Sequence, residues 1–153
     1  MEALKSEFLC ELNADLEVPQ DIGATPHGTR RIIYVRKGVF TGPRLRGEVL
    51  PGGGDWLLVR PDGASELDVR ATLRTDDGHL IYAYYRGILH APPAVSDRFQ
   101  RGERDIDPSS YYFRTTPVFE TGSEKYWWLN RVVAVGVGRR TATGVAYAVH
   151  EIL

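Results

Sequence analysis

The chain has 153 residues, a length typical of one domain, and we expect residues 1–153 to fold as a single unit. Hydrophobic residues make up 42% and charged residues 25% of the sequence, a balance typical of a globular protein with a real core. The 19 basic and 20 acidic side chains leave a net charge of −1. This charge provides no broad positive surface, so we expect no nucleic-acid partner.

Cysteine use and hydropathy bear on where the protein works. Cys10 is the only cysteine, which excludes an internal disulfide and fits a reducing compartment. The N-terminal residues have no apolar signal core, and no apolar run approaches the length of a membrane helix. We therefore expect a soluble, cytoplasmic protein with no membrane partner.

The first part of the chain predicts short strands separated by turn residues. Residues 8–18 have an extended pattern, and residues 19–29 predict a loop because they are rich in proline and glycine. Residues 31–40 predict a second strand. Two further strands, over residues 46–50 and 55–60, flank a run of three glycines.

A hairpin over residues 67–88 is the clearest local prediction. Apolar residues alternate with polar ones from Leu67 to Arg74, as in a strand with one buried face. The Asp77-Gly78 pair that follows favours a tight hairpin turn, because glycine readily adopts positive φ angles. Residues 79–88 then form the returning strand.

The remainder of the chain completes an all-β pattern of about nine strands. Residues 89–110 predict a long loop or a short helical turn that Ser96 would cap. Residues 111–118, 126–137 and 145–152 predict the last strands. Because the connections resemble sequential hairpins and the last strand is long and apolar, we predict a closed antiparallel β-barrel, which has no exposed edge.

Motifs for several common chemistries are missing. The sequence has no nucleophile elbow, no phosphate-binding loop and no dinucleotide fingerprint. Its four histidines are far apart, and none forms a pair with metal-ligand spacing. We therefore expect no cofactor and no metal.

Three clusters are candidates for a functional site. Asp55 beside Trp56 would place a carboxylate against an aromatic ring, where desolvation raises its pKa; the alternative is an Asp55 that caps a wide glycine turn. Arg70 and Tyr82 lie on one face of the predicted hairpin, which is either the lumen or the solvent side. In the predicted strand 126–137, Trp128 and Asn130 share a face and are the better pocket candidates, whereas Trp127 would form a homodimer contact.

Three sequence blocks carry a family resemblance. They are GPRLRGEVLPGGGDWLLVRPDG (residues 42–63), LDVRATLRTDDGHLIYAYYRG (67–87) and YYFRTTPVFETGSEKYWWLN (111–130). In this order they closely resemble a bacterial and fungal family, the domain of unknown function 3237, also called uncharacterised protein family 0311. The resemblance implies a single β-barrel of lipocalin-like or streptavidin-like appearance and implies no activity. Arg114, in the third block, joins the expected ligand-binding residues.

Three functions remain open on these residues. In the first, a cofactor-independent enzyme acts in the lumen on a small carboxylate- or phenol-bearing molecule, with Arg70 orienting it and Asp55 or Glu120 as general base. Tyr82 or Asn130 would stabilise negative charge. In the second, the barrel binds a small molecule without catalysis. In the third, a filled core serves a structural or interaction role.

Overall fold

Ten strands and one α-helix make up most of residues 2–153, which the computed structural model describes. The strands are Ser6–Leu16 (β1), Gln20–Thr25 (β2), Gly28–Thr41 (β3), Arg46–Val49 (β4), Gly54–Val59 (β5), Ser65–Thr75 (β6), Leu80–His90 (β7), Tyr112–Glu120 (β8), Ala134–Arg140 (β9) and Gly144–Ile152 (β10). Helix α1 covers Pro93–Gln100, and two 3-10 helices cover Pro108–Ser110 and Trp127–Arg131.

The strands close into an antiparallel barrel, as predicted. Strand β1 pairs with β10, and the order continues through β9, β8, β7 and β6. Strands β4 and β5 share the next position, because both pair with β6 and with β3. Strand β3 returns to β1 from Glu11–Thr41 to Leu16–Val35, which completes eight positions around the barrel. The last strand, β10, is therefore paired on both sides and has no open edge.

Alternation along the strands separates a buried interior from an outer surface. The β6–β7 hairpin is confirmed, with Gly78 at a φ of 90° in the turn. Leu67, Val69 and Leu73 of β6 face inward and are at most 4% exposed, whereas Arg70 on the opposite face is exposed. The polar face of this hairpin is thus the outside of the barrel.

Different helical segments pack against the two ends of the barrel. At the end where β7 finishes and β8 begins, α1 packs Val95 and Phe99 against the core; we call this the α1 end. At the other end, the 3-10 helix Trp127–Arg131 inserts the fully buried Leu129. None of the helices within residues 2–153 is long and apolar enough to cross a membrane.

Two predicted segments differ from the structure. The strand predicted over residues 126–137 is wrong in its first half, because the Asn130 amide bonds to the backbone of Thr121 and Trp127 and stabilises a 3-10 turn instead. The loop predicted over residues 19–29 is also wrong. Its proline and glycine fall at a bulge and a tight turn between β2 and β3, where Thr25 Oγ1 donates to the Gly28 carbonyl at 2.8 Å.

The predicted helical turn near residue 96 exists but begins earlier. Pro93 starts α1, and the carbonyl of Pro92 accepts the first helical hydrogen bonds, from the amides of Val95 and Ser96. Ser96 thus lies inside the helix. Gly102 ends it with a φ of 89°, and its amide donates to the Phe99 carbonyl at 3.0 Å.

Candidate functional site

Asp55 is a half-buried carboxylate on the inner side of the barrel. It pairs with Ile33 of β3 and with Val69 of β6, and Val69 is a buried interior residue. One carboxylate oxygen, Oδ1, accepts a hydrogen bond from the Asp68 amide at 3.0 Å. Burial raises the pKa of Asp55 to about 6, outweighing the opposite effects of the Asp68 amide and the Arg30 charge. At neutral pH Asp55 is therefore an ionised base that gains a proton readily.

Two phenols accompany this carboxylate. Tyr85 lies on β7 opposite Val69, and its ring meets the ring of Tyr147 from β10 edge-on, with centroids 5.4 Å apart. Burial raises the pKa of both phenols, and the charge of Asp55 raises both further. Both therefore stay neutral near pH 7 and serve as hydrogen-bond donors.

The two phenols also interact with each other. Tyr147 lowers the pKa of Tyr85, whereas Tyr85 raises the pKa of Tyr147. Tyr147 is buried at 3% exposure, whereas Tyr85 retains partial exposure. Tyr85 is thus the phenol that a small molecule can reach.

A glycine makes room for this cluster. Gly138 of β9 lies opposite Tyr147, and a Cβ at that position would lie 2.7 Å from the ring of Phe113. Without a side chain at Gly138, Phe113 packs against Tyr147 with ring centroids 5.3 Å apart. The aromatic wall of the cluster depends on this close approach.

Burial raises the pKa values of the Asp55 carboxyl and of the Tyr85 phenol. Together these two groups form an acid–base pair. The Asp55 carboxylate can accept a proton near neutral pH, and a neutral phenol can donate a hydrogen bond to a developing oxyanion. Paired titratable groups whose surroundings separate their protonation states are typical of active sites. Asp55, Tyr85 and Tyr147 are therefore the candidate active site.

The structure places Asp55 alone of the sequence-predicted residues in this interior cluster. Arg70 and Tyr82 lie on the outer face of β6 and β7, and Glu120 is exposed at the end of β8 opposite Tyr82. Trp56 also faces outward, with the Arg70 guanidinium 5.9 Å from its ring centroid. The expected grouping of Asp55, Arg70 and Glu120 around one substrate does not form.

The remaining predicted residues lie elsewhere. Arg114 is on the outside of β8, where it lines a cleft of about 690 Å³ together with Glu66 and Arg86. Trp128 and Asn130 lie at the end of the barrel away from α1. There, the Arg44 guanidinium lies 4.1 Å from the ring centroid of Trp128. The side-chain amide of Asn130 accepts a hydrogen bond from the Thr121 backbone amide and donates one to the Thr121 carbonyl.

Sequence reasoning missed Tyr85 and Tyr147, although alternation contained a signal. In the sequence Ile81-Tyr82-Ala83-Tyr84-Tyr85, Tyr85 has the parity of the apolar Ile81 and Ala83, and it points inward with them. A phenol on an apolar face usually finds a polar partner. The ring that Tyr85 meets belongs to Tyr147 on β10, 62 residues further along the chain. A local sequence pattern therefore could not predict that these two phenols lie together.

Within the described part of the chain, residues 2–153, no three His, Cys, Asp or Glu side chains form a group that could hold a metal ion. The site described above consists instead of one carboxylate and two phenols. A carboxylate can accept a proton, and phenols can donate hydrogen bonds.

Comparison with known proteins places this barrel among relatives of similar length. A family model described as a protein of unknown function, DUF3237, matches residues 4–152. A UPF0311 protein of Rhodopseudomonas palustris is 35% identical over 150 residues, which cover 98% of this chain and 97% of that protein.

Solved structures agree with this assignment. A conserved R. palustris protein of unknown function has a TM-score of 0.95 at 35% identity, with both chains covered completely. A β-barrel-like protein from Acinetobacter baumannii has a TM-score of 0.86 at 37% identity, covering 100% of this chain and 98% of its own. An enzyme from Penicillium herquei shares the fold, with a TM-score of 0.75 at 21% identity, covering 100% of this chain and 97% of its own. By sequence and by fold, this chain belongs to the DUF3237 family, and its R. palustris relative is named a UPF0311 protein.

Proposed function

We propose that this protein is a cofactor-independent acid–base catalyst acting on a small molecule inside the barrel, with Asp55 as the general base. The observation that carries the proposal is the half-buried Asp55 carboxylate, whose pKa of about 6 lies near the working pH. A structural carboxylate gains nothing from such a pKa, because ionising it in a desolvated place costs folding free energy. Sites that accept such a cost are typically functional.

The proposed reaction is a proton transfer within one substrate. Asp55 takes a proton from a C–H or O–H group of the substrate, and the electron pair of that bond shifts onto a substrate oxygen. The hydroxyl of Tyr85 donates a hydrogen bond to this oxygen and stabilises its negative charge. Return of the proton from Asp55 to another atom of the same molecule restores the carboxylate, so the cycle consumes no co-reactant.

Tyr147 acts as a positioning residue in this scheme. Its buried ring meets the ring of Tyr85 edge-on, with centroids 5.4 Å apart, and so holds the Tyr85 phenol in place beside the substrate. The same fold occurs in a Penicillium herquei protein described as an enzyme, so the fold is compatible with catalysis. In this chain, Asp55 and the two phenols support catalysis.

Hydrogen exchange with solvent tests the proposal without knowledge of the product. Phenols and 2-oxo acids are incubated with the protein in D₂O, and deuterium incorporation at carbon is followed by ¹H NMR. We expect catalysed exchange with at least one substrate class, rising with pH around an apparent pKa of about 6, and its loss in Asp55→Asn.

The matched control is Asp76→Asn, which removes an exposed carboxylate on the β6–β7 turn. This variant should keep the full exchange rate. Equal rates in the wild type and Asp55→Asn would refute the role of Asp55.

Binding without catalysis is a second candidate, and the outer cleft favours it. The cleft of about 690 Å³ has a volume typical of small-molecule sites and is lined by Glu66, Arg86, Tyr112 and Arg114. A ligand recovered unchanged after incubation, and lost in Arg114→Ala but not in Asp55→Asn, would support this candidate.

The cellular location and the oligomeric state of the proposed enzyme are also predictions. A cytoplasmic location is consistent with Cys10, whose burial raises its pKa to about 12 and keeps the thiol unreactive. The homodimer expected through Trp127 is testable by light scattering, since that side chain is 48% exposed.

A further inference from the structure

Two arginines lie on the inner side of the barrel at the α1 end. Arg140 is the last residue of β9 and pairs with Val145, which packs against the core. It lies two residues beyond Gly138, the partner of Tyr147. Two strand residues span about 7 Å. Arg140 is therefore one inward-facing position closer to the α1 end than the phenol cluster.

Arg31 occupies the equivalent position beside the carboxylate. It lies on β3 two residues before Ile33, which pairs with Asp55. Its own partner on β5 is Leu57, which packs against the core. Arg31 is exposed, whereas Asp55 is half-buried. Arg31 therefore lies nearer to solvent than Asp55 does.

A third arginine joins them from the loop after α1. Burial, and after it the positive charges of Arg104 and Arg31, lower the pKa of Arg140 to about 10, and Tyr111 has the opposite effect. Arg104 and Arg31 thus both lie within electrostatic range of the Arg140 guanidinium. The guanidinium of Arg140 is also held in place, 4.7 Å from the ring centroid of Phe99 on α1.

Asp21 of β2 lies opposite Arg31 in the strand register but forms no ion pair with it. Among residues 2–153, none of the ion pairs with a carboxylate includes Arg31, Arg104 or Arg140. The neighbouring Arg139 differs, since it pairs on the outside with Glu11 at 3.1 Å. Holding the half-buried charge of Arg140 near two other positive charges is unfavourable unless an anion neutralises them.

We propose that Arg31, Arg104 and Arg140 bind the carboxylate of an organic acid at the α1 end and direct the rest of that molecule towards Asp55. A planar guanidinium matches a carboxylate with two parallel hydrogen bonds. The rings of Phe99 and Tyr111, with centroids 5.2 Å apart, provide an apolar wall beside the charge. The substrate class is thus a small acid with an apolar body, and the assignment rests on the proposed function.

The spacing supports a single small molecule spanning both groups. Arg31 lies one inward-facing position, about 7 Å along a strand, from the position paired with Asp55, and Arg140 lies the same step from the position paired with Tyr147. One ring or a short chain bridges that span. The same molecule can therefore contact arginine with its acid group and Asp55 with its reactive group.

The test compares carboxylic acids with their amides. Acetate, benzoate and 4-hydroxybenzoate, each beside its amide, are titrated into the protein by calorimetry in phosphate-free buffer of low ionic strength. We expect at least one acid to bind ten- to a hundredfold more tightly than its amide, the range for hydrogen bonds to charged groups. If no acid binds more tightly than its amide, or if phosphate competes with every acid and binds better, the proposal is wrong.

Variants separate this site from the proposed catalysis. Arg140→Met should reduce binding of the acid to that of the amide, while Arg139→Met, on the outer face of the same strand, should leave it unchanged. Equal losses in both variants would overturn the assignment. Arg104→Met provides a second variant on an exposed loop if Arg140→Met fails to fold, and it should weaken the acid selectively.

Asp55→Asn distinguishes the two failures. It should retain acid binding, because Asp55 contributes no positive charge. If acids bind but no exchange occurs, the anion site stands and the catalytic proposal fails. If exchange proceeds equally on acids and amides and does not depend on Arg140, the catalytic proposal stands and the anion site fails.

Discussion

Replacing Asp55 with asparagine should make the folded protein more stable at neutral pH. Folding raises the pKa of Asp55 from 3.8 to about 6. Because a tenfold change in proton binding corresponds to about 1.4 kcal/mol, the ionised carboxylate costs the folded state about 3 kcal/mol at pH 7. Asparagine keeps an oxygen for the Asp68 amide and carries no charge. Its own amide protons need partners, so the expected gain is about 1–3 kcal/mol.

The sign of the pH dependence follows from linkage. The folded state holds the Asp55 proton more tightly than the unfolded chain, so this residue lowers wild-type stability as pH rises from about 4 to about 6. Below pH 4 the carboxyl is protonated in both states and contributes no such cost. The advantage of Asp55→Asn should therefore appear between pH 4 and 6 and stay constant above pH 7.

Urea unfolding of the wild type and the variant at pH values from 4 to 8 measures this difference. Asp62→Asn is the matched control of opposite sign, because Arg60 lowers the pKa of the exposed Asp62 to about 2. That variant should lose stability relative to the wild type at neutral pH and regain it in acid. Parallel curves for the wild type and Asp55→Asn from pH 4 to 8 would refute the reasoning.

Three further substitutions test the packing and the site. Gly138→Ala should lower the free energy of unfolding by about 1–3 kcal/mol in urea, because its Cβ would lie 2.7 Å from the Phe113 ring; wild-type stability would contradict the described packing. Tyr85→Phe should keep the fold by circular dichroism and slow deuterium exchange about a hundredfold, and an unchanged rate would exclude it as donor. Asn130→Ala removes three hydrogen bonds to backbone and should lower the melting temperature while leaving the exchange rate of the folded protein intact; the reverse pattern would assign Asn130 to the site.

The barrel was predictable because local sequence patterns indicate its strands and turns. Alternation from Leu67 to Arg74 and the Asp77-Gly78 turn define a hairpin without knowledge of other strands. The last strand, β10, is long and apolar, which indicated that both of its edges are paired, as the structure shows. The segment at Trp127 failed because its aromatic residues suit a strand, while the Asn130 side chain favours a tight turn through backbone bonds that no propensity includes.

The site was predictable only in part. Asp55 was predicted because it stands beside Trp56, against whose ring desolvation would raise the pKa of a carboxyl group. Which face Arg70 occupies depends on the register of β5 against β6, where Gly54 rather than Asp55 lies opposite Arg70. A shift of one residue in this register would have placed the Asp55 and Arg70 side chains on the same face of the sheet. Tyr147 and Arg140 join the site through long-range pairing, which the sequence pattern does not encode.

A ¹³C NMR titration of the Asp55 side-chain carboxyl, assigned by the loss of its signal in Asp55→Asn, tests the central claim most directly. The account predicts a midpoint of about pH 6 in the folded protein. A midpoint near pH 4 would show a carboxylate in ordinary solvation and would contradict the assignment of Asp55 as a base in the barrel interior.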